Sequence, residues 1–277
     1  MATNPISVLG STGKTGRRIV ARLAARNLPV RHGSRAATPP FDWNDYSTWA
    51  PALKGVSAVY ICFYPDLSVA GATGAIQSFT DLAVSSGVRR LVLLSGRGEP
   101  EAQRCEDIVR NAGVDWTLLR ASWFAQNFSE AHFLEPIRDG ELALPVGNIG
   151  EPFVDADDIA DVAIAALTQN GHAGQLYELT GPRLVTFAEA VAEIARTSGR
   201  SIRFTRLSMT EYTEALVEAG LPAQTVELIH YLFTDVLDGR NASVEDGVIR
   251  ALGRPPRDFS AYVRETAATG IWSREEA

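Results

Sequence analysis

The chain has 277 residues, enough for one large core or for a nucleotide-sized domain with a smaller appendage. A hydrophobic share of 45%, a charged share of 21% and a net charge of −7 are those of an ordinary globular protein and argue against a nucleic-acid or anionic-membrane surface. Two cysteines, Cys62 and Cys105, make no disulfide framework, and the 4 histidines are scattered without metal-ligand spacing. With no run of about 18 apolar residues, neither a metal nor a membrane span is expected. The opening Met-Ala-Thr-Asn-Pro has neither the basic nor the apolar region of a signal peptide, so the expected location is the cytoplasm.

Ile6 to Leu9 has strand character and runs into Gly10, Gly13 and Gly16, after which helical periodicity resumes with Ile19, Val20, Leu23 and Ala24. Such a strand, turn and helix suit a dinucleotide diphosphate. Gly10 gives the sharp turn, Gly13 lets a phosphate approach the backbone, and Gly16 lets the helix pack on the strand, with its amino end facing the anion. Ser11, Thr12, Lys14 and Thr15 complete the cofactor loop. A P-loop reading fails because the required spacing before Gly-Lys-Ser/Thr is missing. The second strand, Val30 to Gly33, ends in Ser34 and Arg35 with no acid. Arg35 paired with a 2′-phosphate, with Ser34 as hydroxyl donor, points to NADP(H); the alternative is a solvated loop arginine. FAD fits less well for want of the same acid.

Next come Phe41-Asp42-Trp43, placed after a presumed third strand. There Asp42 would accept a hydrogen bond from adenine and Trp43 would wall it, with a plain turn and a core tryptophan as the alternative. A helix from Tyr46 to Leu53, strand Ala58 to Phe63, helix Ala75 to Ser86, strand Arg90 to Leu94, helix Ala102 to Ala112 and strand Trp116 to Leu119 follow. This alternation predicts an α/β fold with a doubly wound parallel sheet and a ligand crevice beyond the carboxyl ends of its strands. Tyr64, Ser95, Ser122 and Trp123 then line the nicotinamide half.

Beyond Phe128 the pattern loosens: a helix from Asn127 to Arg138, strand Glu141 to Pro145, helix Asp155 to Thr168, strand Gln175 to Leu179, and capping boxes at Thr186/Glu189 and Ser208/Glu211. The tail from Thr225 to Ala268 looks mainly helical. The expected organisation is a dinucleotide-binding domain over 1–150 and a smaller, mainly helical α/β lobe over 151–277, partly interwoven with the first. Phe124, Asn127, Phe128 and Tyr231 are the substrate-side candidates, with core packing the alternative for the aromatic ones. Asp155, Asp157 and Asp158 open a helix and are expected to serve its amino end rather than a metal.

Gly10-Ser-Thr-Gly-Lys-Thr-Gly16, Phe41-Asp-Trp43, Leu93-Leu94-Ser95, the run Leu118 to Asn127 and the segment Phe153 to Ala160 together resemble the NmrA-like group of atypical short-chain dehydrogenase/reductases, over roughly residues 6 to 205. The loop, the Ser-Arg pair and Phe41-Asp-Trp43 are most similar to clavine-type dehydrogenases and their bacterial relatives. The group also holds triphenylmethane reductase-like and quinone reductase-like enzymes, and regulators that bind NADP without turnover. The resemblance implies a Rossmann fold and NADP(H). The chain departs from ordinary short-chain dehydrogenases in lacking Tyr-x-x-x-Lys, because its lysines are Lys14 and Lys54 alone. Ser95 matches the family serine, and with Tyr64 and Arg104 makes up the catalytic candidates; Arg104 falls near a lysine of isoflavone reductase-like relatives, but a guanidinium is a poor proton donor. The expectation is an NADPH-dependent oxidoreductase that reduces a small electrophilic aromatic, quinone or iminium-type acceptor. It would be a monomer or homodimer with a small-molecule substrate and no direct nucleic-acid partner. The alternative is an NADP(H)-sensing regulatory protein.

Overall fold

In a computed structural model, which describes residues 4–273, Ile6–Leu9 form β1 and all of its residues are buried, as a strand covered on both faces requires. Parallel neighbours flank it, β2 (Val30–Gly33) on one side and β3 (Ala58–Ile61) on the other. The sheet continues through β4 (Arg90–Gly96) and β5 (Asp115–Ala121) to a sixth parallel strand, Gln175–Leu179. Strand order therefore reverses between β1 and β3, which puts the ligand crevice beyond their carboxyl ends.

The chain divides into two compact units. One runs to Ala121 and takes back Ala156–Leu179 and Asp246–Arg254; the other comprises Ser122–Asp155, Thr180–Glu245 and the chain from Pro255. A division at residue 150 would put the helix Ala156–Thr168 and the sixth strand in the second lobe, whereas both belong to the sheet unit. That helix packs on α1 (Lys14–Ala25) through a lattice of charges. Arg18 meets Asp157 at 3.2 Å, Arg22 meets Asp157 and Asp161 at 2.7 Å each, and Arg254 meets the fully buried Asp158 at 2.7 Å. The acids at this helix start thus hold arginines from distant segments. Elsewhere in the unit Leu9, Trp49, Ile61, Phe79, Leu93 and Leu118 share one apolar core.

Phe41-Asp42-Trp43 is not a strand of the sheet. Asp42 donates its N–H to Thr48 Oγ1 at 3.0 Å and its carbonyl accepts Trp49 Nε1–H at 2.8 Å, so its backbone is taken by a local turn and not by a ladder.

The second unit holds a parallel strand pair, Glu141–Leu144 with Arg203–Arg206, and a short antiparallel pair, Gly150–Glu151 with Val185–Thr186. Both capping boxes form, opening the helices Phe187–Ser198 and Met209–Glu218. The continuous helix expected from Asn127 to Arg138 is instead a 3₁₀ turn, Ala125–Phe128, and a separate helix, Leu134–Asp139. One cause is tertiary: the Phe128 carbonyl, which a continuous helix would give to the residue four ahead, accepts Trp272 Nε1–H at 2.8 Å. Among the described residues no helix is long and apolar enough to cross a membrane.

The helix Gly247–Leu252 closes over the sixth strand so tightly that a Cβ on Gly247 would stand 2.1 Å from the Glu178 carbonyl oxygen. Gly247→Ala should therefore lower stability by about 1–3 kcal/mol, measured as a fall in the urea midpoint.

Candidate functional site

Beyond β1 the backbone turns at Gly10, with φ at +68°, a conformation that suits glycine. The Gly10 carbonyl accepts the Gly13 N–H at 2.9 Å, and the N–H groups of Gly10 and Ser11 both reach the Gly33 carbonyl, at 2.9 and 3.3 Å. These bonds fix the loop to the end of β2. A Cβ on Gly16 would lie 2.0 Å from the Gly10 oxygen, so α1 can begin here only on bare backbone; a Cβ on Gly13 would lie 3.2 Å from the same atom. Thr12 and Gly13 are exposed and Lys14 is half-buried. Thr15 turns inward, where its Oγ1 accepts the Tyr60 hydroxyl at 2.9 Å, so it anchors the loop from beneath. Ser11 Oγ is buried with no hydrogen-bond partner among the described residues, and α1 starts with neither a side-chain cap nor an acid in its first turn. A buried hydroxyl lacking a partner beside an uncapped helix amino end fits the diphosphate of a dinucleotide.

At the end of β2, Ser34 is half-buried and its carbonyl accepts from Ala37 and Phe41, closing the 34–41 loop. Arg35 is exposed and has no hydrogen bond or ion pair among the described residues. Asp42 Oδ1 accepts the Asn44 N–H at 3.0 Å, which makes its carboxylate part of a turn. Trp43 donates Nε1–H to the Cys62 carbonyl at 3.1 Å and packs on Phe41, Trp49, Phe63 and Phe79, as the half-buried rim of the aromatic core.

After β3 and β4 the arrangement differs from the sequence-based expectation. Tyr64 is 77% exposed. Ser95 is buried, and its hydroxyl donates to Glu106 Oε1 at 2.7 Å. Glu106 is also held by Arg120 Nε at 2.9 Å, while Arg120 reaches Glu178 at 2.7 Å and Arg97 reaches Glu178 at 3.4 Å. Ser95 thus belongs to a buried ionic network. Arg104 stands on the surface of its helix beside Glu101, at 3.5 Å.

The residue that sequence reasoning missed is Glu99, which is 6% exposed. Its carboxyl lies over Gly96, where a Cβ would come within 1.9 Å of Oε1, and the Asp66 carboxyl is its acidic neighbour. Asp66 is held in turn by Ser68, whose N–H and hydroxyl donate to Oδ1 at 2.8 and 2.7 Å. Burial above all, then the Asp66 charge, pushes the Glu99 carboxyl up to about 9. The sequence pattern placed the helix start at Ala102 and left Glu99 unread; the helix begins at Pro100, and Glu99 stands just before it without a side-chain cap bond.

In the second unit, Ser122 is buried. Trp123 is half-buried against Phe187 and Phe233, Phe124 bridges to Val154, and Asn127 is half-buried with its N–H on the Phe124 carbonyl at 3.0 Å. Tyr231 is half-buried at the end of the helix Ala223–Tyr231. Phe128 is a correction. It is 0% exposed and packed among Phe133, Phe153, Phe187 and Phe259, which makes it core and not a substrate wall.

Between the ordinary carboxylate range and about 9, the folded chain holds a proton on Glu99 that the unfolded chain has lost. Stability then drains away as pH rises through that window. Glu99→Gln should flatten the decline, by at most about 1.4 kcal/mol per pH unit, in urea unfolding followed from mildly acidic to mildly alkaline buffer.

Residues 10–170 match the model of an NAD(P)H-binding family. The chain is 32% identical to festuclavine synthase II of Penicillium roqueforti, over 92% of its own length and 95% of that protein. It is 29% identical to the NAD(P)H azoreductase of Xenophilus azovorans, over 95% and 98% of the two chains. Among solved structures it resembles the triphenylmethane reductase of Citrobacter sp. complexed with NADP(H), with a TM-score of 0.73 and 20% identity, covering 96% of this chain and 99% of that one, a likeness of fold. The chain belongs to the NAD(P)H-binding family.

Proposed function

We propose that this protein is a cytoplasmic, NADPH-dependent reductase, a monomer or homodimer, that delivers hydride to a small, flat, electrophilic acceptor of the quinone, azo or iminium type. The observation that carries the reading is the loop of Gly10, Ser11, Gly13 and Gly16, where an unpartnered buried hydroxyl and an uncapped helix start suit a diphosphate. Arg35, exposed and free of partners among the described residues, supports the choice of the 2′-phosphorylated coenzyme. The bound coenzyme supplies hydride chemistry. The chain's own contribution is to hold coenzyme and acceptor in contact, which is where a large share of the rate gain in such a reaction lies. Lysines at positions 14 and 54 alone rule out a Tyr-x-x-x-Lys pair, which favours acceptors that are already strongly electrophilic. The names of the azo and clavine relatives support the same acceptor class.

Purified protein mixed with NADPH and a panel of quinones, azo and triarylmethane dyes and cyclic iminium ions should consume the reduced coenzyme with at least one member. Tight binding of NADPH without oxidation by any of them would make the protein an NADP(H) sensor instead. Arg35→Ala should weaken NADPH about 10- to 100-fold in fluorescence titrations and leave NADH nearly unchanged; equal losses would remove Arg35 from coenzyme choice.

A further inference from the structure

The reductase reading leaves a chemical gap. A quinone or an azo bond that takes up hydride must also gain a proton, and the expected donors are unsuited to give one. Ser95 spends its hydroxyl on Glu106, Arg104 is a surface guanidinium beside Glu101, and Tyr64 is 77% exposed. Glu99 differs from all three.

Its setting is built around an undissociated acid. Bare Gly96 makes room for the carboxyl and Gly98, at φ +77°, turns the chain so that the side chain folds back over the end of β4. A buried glutamate kept for structure is ordinarily matched to a cation. Among the described residues the charges acting on Glu99 are those of Asp66 and Glu101, both negative, while neighbouring Arg97 turns to Glu178. Gly96 is the last residue of β4, so the carboxyl that lies over it stands at the carboxyl edge of the parallel sheet, the same edge as the 10–16 loop. The partnerless Ser11 hydroxyl in that same loop independently marks this edge as made for a ligand.

Resting on the reductase reading, we propose that Glu99 is the proton donor of this site, its carboxylic O–H protonating the acceptor atom that hydride uptake leaves negatively charged, with Asp66 as the positioning residue. The acceptor gains two electrons and one hydrogen as hydride at one atom. At its conjugate oxygen or nitrogen an O–H or N–H bond forms as the Glu99 O–H bond breaks. Glu99 is left as a carboxylate next to Asp66, and the repulsion between the two drives recovery of a proton from water. In sum, one acceptor, one NADPH and one proton become reduced acceptor and NADP⁺. An iminium ion needs hydride alone and does not call on Glu99.

Two measurements test this. In Glu99→Gln, the rate with a quinone or azo acceptor should fall about 100-fold more than the rate with a cyclic iminium ion, with NADPH titration reporting that the variant is folded. Carbon-13 NMR of labelled glutamate side chains should find Glu99 titrating far above the ordinary carboxylate range in the wild-type protein. In Asp66→Asn that titration, and with it the alkaline limb of kcat/KM, should move to lower pH. Equal slowing of both acceptor classes by Glu99→Gln, or a Glu99 carboxyl that titrates normally, overturns the inference and leaves the reductase reading standing. Absence of turnover with every acceptor overturns both.

Discussion

Where α1 leaves the first loop, backbone rests on backbone. The place a methyl would occupy on Gly16 is 2.0 Å from the Gly10 carbonyl oxygen, and the same is true in milder form at Gly33, whose Cβ would stand 2.9 Å from Leu9 Cα and from the Val8 carbonyl oxygen. Everything at the carboxyl edge of the sheet follows from that closeness. It lets β1, β2 and α1 converge on a single short loop, leaves the helix amino end without a side-chain cap, and seats Ser11 where its buried hydroxyl has no hydrogen-bond partner among the described residues. Such a convergence has one evident physical use, to receive an anion with fixed dipoles rather than with mobile charged side chains.

The charges of the sheet unit are spent elsewhere. Arg18, Arg22 and Arg254 bind the acids of the helix Ala156–Thr168, and Ser95, Glu106, Arg120, Glu178 and Arg97 form a second network around the ends of β4, β5 and the sixth strand. Buried ion pairs of this kind contribute little net stability, but removing one member leaves a stranded charge, so they fix geometry. The second network takes in Ser95, the serine at the end of β4. What it does not absorb is the Glu99–Asp66 pair, in which an uncharged acid is kept in place by burial and a negative neighbour.

Local signals were legible in the sequence and distant ones were not. The glycine spacing, the alternation of strands and helices, and the capping boxes at Thr186 and Ser208 depend on residues within one turn of each other, and all appear as expected. Asp42 was read either as an adenine acceptor or as a plain turn residue, and its backbone bonds to Thr48 and Trp49 close a local turn. The helix through Phe128 failed because its carbonyl is claimed by Trp272, 144 residues on. Asp157 looked like a helix-capping acid, while its partner Arg18 lies 139 residues away. Glu99 was illegible for a related reason: nothing near it in sequence announces that Asp66, from the preceding strand's loop, will supply a second carboxyl. In each case pairing across the fold decided the role, and pairing leaves no local pattern.

The central claim is that the loop from Gly10 to Gly16 holds the diphosphate of a coenzyme, and backbone amide NMR of nitrogen-15-labelled protein tests it most directly. On titration with NADPH the amide resonances of Ser11 and of Gly13 to Gly16 should shift together and saturate at one equivalent. If they stay in place under saturating NADPH and NADH, the loop does not bind the coenzyme and the account is contradicted.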